Sequence, residues 1–154
     1  MIERMKKYDI PVLVFNRNDL HEITKVDDWM VQKSADWIIL AGFLWLMPAR
    51  LIQAYPNRII NIHPALLPNY GGKGMYGHHV HEAVIANGEK QSGITIHYVN
   101  NEYDRGETIF QAKCPVEPGD TPDSLAARVH DLEYRHFPVV IEQEVLKGMK
   151  SKTI

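Results

Sequence analysis

The feature that most narrows the fold of this chain is the run Arg58-Ile59-Ile60-Asn61-Ile62-His63, closed by Pro64 and Pro68. In an extended strand successive side chains point to opposite faces, so Ile60 and Ile62 share one face while Asn61 and His63 share the other. Such a strand sets a core on one side and polar chemistry on the other. The prolines end it and stiffen the loop that follows. In open α/β sheets ligands bind in the crevice outside the carboxyl ends of the strands, and an amide beside an imidazole there supplies an oxyanion donor and a proton carrier.

The sequence around this strand predicts alternation. Pro11 to Phe15 and Trp37 to Gly42 are short apolar runs of the kind expected in strands covered on both faces. Val26 to Ala35 has the length and pattern of a helix, and Pro48 opens a short one through Tyr55. Strand, helix, strand, helix, strand implies right-handed crossovers and a parallel sheet. Further on, a helix from His79 to Ala86 stops at Asn87-Gly88, and Gly93 to Val99 and Thr108 to Val116 read as strands. Thr121 and Pro122 open a helix through His136. Pro138 predicts a break before a last piece to Leu146, and 147–154 reads as a frayed tail. No repeat or linker divides the chain, so 1–154 reads as a single domain.

With 154 residues and 45% hydrophobic side chains, the chain has enough apolar material for a real core. A formal charge of −2 gives no basic footprint for nucleic acid or an anionic membrane. No apolar run approaches the ~20 residues of a membrane span, and the start lacks the apolar core of a signal peptide. The expected compartment is the cytoplasm. Cys114 stands alone inside a predicted strand, which makes it a structural thiol.

Alternation in Gly93 to Val99 puts Thr95, His97 and Val99 on one face, and His97 stands out in a mostly apolar strand. Asp104 follows seven residues later in a polar turn whose Gly106 permits positive φ. A carboxylate beside an imidazole favours the cation and raises its pKa. Taken singly, each of these residues is more often structural. His78, His79 and His81 diverge on a helix and lack a Cys pair or a His-Glu-x-x-His spacing, so no metal is expected. Gly71-Gly72-Lys73-Gly74 lacks the strand-then-helix setting of a nucleotide fingerprint and reads as a mobile loop. His130 and Glu133 fall on one helical face, by default as a solvated pair.

The order Asn61-Ile-His63-Pro-Ala-Leu-Leu-Pro68, Gly93-Ile-Thr-Ile-His97-Tyr-Val99, Asp104-Arg-Gly106-Glu-Thr-Ile-Phe-Gln111 and Pro118-Gly-Asp-Thr121 resembles the phosphoribosylglycinamide formyltransferases of purine synthesis. The likeness runs from Asp36 to Val140. It implies an α/β fold with an open, mostly parallel, Rossmann-like sheet and helices on both faces. It also implies a catalytic set of Asn61, His63 and Asp104, with His97 in support. The folate co-substrate, 10-formyltetrahydrofolate, would lie against Leu44, Trp45, Leu46 and Met47 and the turn Asn100, Asn101, Glu102, Tyr103 and Asp104, with Asn61 alongside. Glu133 and His130 would hold glycinamide ribonucleotide. In this reading Asp104 keeps His63 charged, Asn61 and His63 stabilise oxyanion charge, and no metal takes part. Set against the family pattern, the chain opens near the second helix, without the first strand, its glycine-rich phosphate turn, the first helix or the second strand. That departure implies a homodimer and feeble transfer. The related alternatives are a formyltetrahydrofolate deformylase and a truncated, inactive folate-binding or assembly domain.

Overall fold

The computed structural model describes residues 2–150. Its contacts divide the chain into two compact units, 1–36 and 37–154. The first unit holds α1 (Ile2–Lys6), α2 (Arg17–His21) and α3 (Lys25–Gln32). In α2, Asn16 and Asp19 form a reciprocal capping box. Pro11 to Phe15, predicted as a strand, is not part of the sheet. Apolar β-formers become a strand only where a neighbouring ladder accepts their backbone, and Val12 and Val14 remain exposed.

The second unit carries the sheet. Its elements are β1 (Ile38–Leu40), α4 (Ala49–Ala54), β2 (Ile59–His63), α5 (His78–Ala86), β3 (Gln91–Tyr98), β4 (Thr108–Pro115) and α6 (Pro122–Lys150). The strands lie in chain order; β1 is parallel to β2, and the β2–β3 and β3–β4 pairings are antiparallel. The fold is α/β, but this sheet is mixed instead of mostly parallel. One reason is that only β1 to β2 is joined by a helical crossover within a parallel pair.

Alternation along β2 and β3 gives the sheet two unlike faces. Ile60, Ile62, Ile94 and Ile96 join Val80 and Val84 of α5 and Leu125 and Val129 of α6 in one buried cluster. Full burial of each such side chain stabilises by about 1.5–3 kcal/mol. The opposite face presents Asn61 across from His97 and His63 across from Thr95. Thr95 is fully buried there. Its hydroxyl accepts from the Leu67 amide at 3.0 Å and donates to the Ala65 carbonyl at 2.7 Å, which pins the loop after β2 onto the sheet.

Pro138 does not break α6, which runs unbroken for 29 residues. An interior proline costs a helix about 3 kcal/mol. Packing on both sides offsets that: Leu125 and Val129 precede it, Val140 follows it, and Tyr98 donates its hydroxyl to the buried Glu144 one turn further on. Lys147, on the predicted frayed tail, reaches back to Glu144, and Gly148 lies against the Trp37 ring. Residues 147–150 are therefore helical, while 151–154 fall outside the described residues.

Two glycines hold the strands close. A Cβ at Gly93 would overlap the Ala112 carbonyl oxygen, and one at Gly106 would overlap the Tyr98 carbonyl oxygen. Gly93→Ala is expected to cost about 3 kcal/mol or more, because backbone has to move. Gly119→Ala, with positive φ but open space around it, should cost only about 1–2 kcal/mol. Urea denaturation of the two variants checks the order, and equal losses would contradict it.

Candidate active site

The carboxyl end of β2 meets the last residues of β3 and the turn that follows them. The His97 Nδ1–H donates to the Tyr98 carbonyl at 2.8 Å. With that proton on Nδ1, the Asn61 side-chain amide donates to Nε2 at 3.1 Å. That bond uses one of the two amide hydrogens. The other is left for a ligand.

The His63 Nε2–H donates to the Tyr70 carbonyl at 2.7 Å, which turns Nδ1 toward Asp104, 3.6 Å away. Asp104 also lies 3.6 Å from His97 Nε2, and the Gly72 amide donates to it at 2.9 Å. Asp104 itself carries the positive φ, +53°. Gly106, read from the sequence as the left-handed residue of this turn, is needed for its close approach to Tyr98 instead. A left-handed conformation at a residue other than glycine is one way that binding sites store strain.

Burial and charge compete here. Burial pushes His63 below the usual imidazole range and outweighs the upward pull of Asp104 and of the Tyr70 carbonyl. The expectation that Asp104 keeps His63 charged is therefore corrected: His63 is neutral at neutral pH, because loss of water costs the cation more than a carboxylate at 3.6 Å returns. Burial alone would raise Asp104, but His97, the Gly72 amide and His63 together hold it below the ordinary carboxylate value.

These groups open on a cavity of about 870 Å³. Asn61, His63 and Asp104 line it, as do His130 and Glu133 of α6, which lie 2.9 Å apart. The other predicted ligand residues divide. Trp45, Leu46, Met47, Asn100, Glu102 and Tyr103 line an adjoining crevice of about 40 Å³ together with Asn61, His97 and Asp104. Leu44 faces the large cavity instead, and Asn101 lines neither space.

The formyl transferase family model matches residues 1–141. The chain belongs to the formyl transferase family. The chain is 48% identical over 77 residues to the chloroplastic phosphoribosylglycinamide formyltransferase of Arabidopsis thaliana, a match covering 50% of the chain and 26% of that protein. It resembles the phosphoribosylglycinamide formyltransferase structure from Bacillus halodurans at TM-score 0.83 and 32% identity, covering 96% of this chain and 75% of that one. For the Anaplasma phagocytophilum enzyme the values are 0.81, 34%, 91% and 64%. The matched stretch thus spans about a quarter of the Arabidopsis protein.

Sequence reasoning missed three residues of the candidate site. Gly72 acts through its main-chain amide and Tyr70 through its carbonyl, and neither leaves a side-chain signal. His81 is buried and borders the cavity, whereas His78 and His79 are exposed and engage Asp123 and Glu82. The i, i+3 spacing of His81 from His78 put both near one face, but only the packing of α5 shows which ring is covered. Among the described residues no group of three metal ligands comes together. Cys114 is buried, and burial pushes its thiol up, away from reactivity.

Burial, with the neighbouring His130, His78 and His63, pushes His81 down to about 4. The unfolded ring titrates near 6.5, so between pH 6.5 and 4 the unfolded chain binds more protons than the folded one. Stability should fall across that window by about 2–3 kcal/mol from His81 alone, with His63 acting in the same direction. Urea midpoints at pH 7 and pH 4.5 check this. His81→Leu should remove most of its share, and an unchanged pH dependence would contradict the assignment.

Proposed function

We propose that this chain carries one formyl transferase domain that moves a formyl group from 10-formyltetrahydrofolate to the amine of glycinamide ribonucleotide. The observation that carries the reading is that Asn61, His63 and Asp104 line one cavity together with His130 and Glu133. Its likeness to proteins named phosphoribosylglycinamide formyltransferase supports it.

The folate supplies the formyl carbon. The crevice of Trp45, Leu46, Met47 and Val99, edged by Asn100 and Glu102, has the character that a flat heterocycle needs: apolar walls with polar groups at the rim. It is narrower than a pterin, so Trp45 and its edge-on neighbour Phe43 must part to admit one. Glu133 and His130 orient the ribonucleotide. As its amine adds to the formyl carbon, negative charge grows on the formyl oxygen. The second amide hydrogen of Asn61, held in place by His97, stabilises that charge. His63, neutral at rest, takes the proton that the amine loses. Asp104 stabilises the resulting imidazolium, and the low basicity of His63 favours return of the proton to the leaving nitrogen. The amine thus loses one proton and the leaving nitrogen gains one.

Steady-state transfer assays test this directly. Asn61→Ala and His63→Ala should each lower kcat by about two orders of magnitude or more while folate affinity stays within about threefold, as expected for interactions made in the transition state. Either variant turning over at a near-normal rate would remove it from the catalytic set. Titration with a folate analogue should change the fluorescence of Trp45 relative to a Trp45→Phe control, and a silent titration with no heat of binding would move the folate out of this crevice.

A further inference from the structure

The loop after β2 ties both the acid and the base to main-chain atoms of one tripeptide. The Tyr70 carbonyl accepts the His63 Nε2–H at 2.7 Å, and two residues on the Gly72 amide donates to Asp104 at 2.9 Å. Gly71, between them, runs so close to Leu67 and Asp104 that a Cβ there would overlap the Leu67 side chain. Tyr70 itself has φ of +56°. A left-handed conformation costs a residue with a Cβ about 1–2 kcal/mol, and it persists only where the surroundings hold it.

At Tyr70 the hold comes from the side chain. Its ring packs against the buried cluster of the sheet, and its hydroxyl donates to Glu89 Oε1 at 2.7 Å and accepts from the Asn87 side-chain amide at 3.0 Å. Asn87 and Glu89 flank Gly88, with φ of +64°, at the end of α5. The Glu89 amide returns to the Val84 carbonyl and the Gly88 amide to the Ile85 carbonyl, the paired bonds of a Schellman cap. Val80 and Val84 of the same helix are buried in the core. The phenol is thus fastened to a helix end that cannot shift without disturbing the core, and no step of the proposed transfer uses that fastening.

We infer that Tyr70 is a positioning residue for His63: its phenol, held by Asn87 and Glu89, sets the carbonyl that keeps the ring proton on Nε2 and leaves Nδ1 empty for the proton of the acceptor amine. The inference rests on the formyl transfer reading and names the residues that prepare its base. The other neutral tautomer has an attraction of its own. Asp104 lies 3.6 Å from Nδ1, and a carboxylate draws a ring N–H toward itself. The carbonyl at Nε2 competes for the same proton from the other side of the ring. If that carbonyl swings away, the nitrogen beside Asp104 is filled before the amine arrives, and it cannot act as the base.

The test compares the full chain with Tyr70→Phe, Glu89→Ala and Glu89→Gln. Nitrogen-15 spectra of labelled histidine, with His63 assigned by its loss in His63→Gln, report which ring nitrogen carries the proton at about pH 8, above the ordinary imidazole range. The unsubstituted chain should hold the His63 proton on Nε2. Tyr70→Phe and Glu89→Ala should each move a large share of the ring to the Nδ1–H form and lower kcat about five- to tenfold, the scale of one hydrogen bond, with both KM values unchanged. Glu89→Gln keeps an acceptor for the phenol and should retain most of the tautomer and the rate. The double variant Tyr70→Phe/Glu89→Ala should be little worse than either single one, because both break the same bond. The spectra need neither folate nor turnover. If the tautomer shifts as expected but the unsubstituted chain transfers no formyl group, the reaction reading fails and the positioning of His63 stands. An unchanged tautomer in Tyr70→Phe and Glu89→Ala, or an unsubstituted chain with its proton on Nδ1, would overturn the inference. A loss confined to urea stability would overturn it as well, leaving the phenol a structural anchor of the loop, and so would a rise in either KM at unchanged kcat.

Discussion

The site depends on the register of β2 against β3. With Asn61 opposite His97 and His63 opposite Thr95, four polar side chains form a block on one face of a sheet whose other face is aliphatic. A slip of one residue would put Ile60 and Ile62 on the polar face and drive Asn61 and His63 into the core, so burial of the isoleucines enforces the chemistry. The block then orders itself by hydrogen bonds. The Tyr98 carbonyl fixes the proton on His97 Nδ1, and His97 Nε2 fixes the Asn61 amide. The Thr95 hydroxyl fixes the loop that leaves His63.

Two opposing electrostatic effects meet in this block, and desolvation has the larger magnitude at His63. Its cation would lose water on nearly every side, and Asp104 at 3.6 Å, the Tyr70 carbonyl and the charge of Glu133 do not make up the loss. For Asp104 the balance reverses, because the Gly72 main-chain amide donates to one of its oxygens. The outcome is an anionic acid beside a neutral base. A proton relay requires that arrangement, since the acceptor of the first proton must start empty.

Much of this was legible in the sequence. Period-two patterning located β2 and β3 and assigned their faces, Asn87-Gly88 marked the end of α5, and the motif order pointed to Asn61, His63 and Asp104. What the sequence concealed depended on tertiary context. Pro11 to Phe15 has strand composition, but composition does not supply a ladder. Pro138 has the signature of a helix break, but packing of Val129, Val140 and Glu144 outweighs it. The charge state of His63 could not be read from the neighbouring Asp104, because the deciding quantity is the depth of burial. The separation of Leu44 from Trp45, Leu46 and Met47 was hidden for a similar reason: four consecutive residues of a loop need not face the same space.

The bond from the Gly72 amide to Asp104 is made by the main chain, and every residue except proline carries that donor. Substitution at 72 therefore leaves the chemical group in place and changes only how readily the backbone reaches φ of +101°. Related chains could vary at this position without losing the support of the carboxylate, so long as the turn keeps its shape. The acid's environment is thus inherited as a path of the chain through space, largely invisible to comparison of side chains and open to adjustment by changes several residues away.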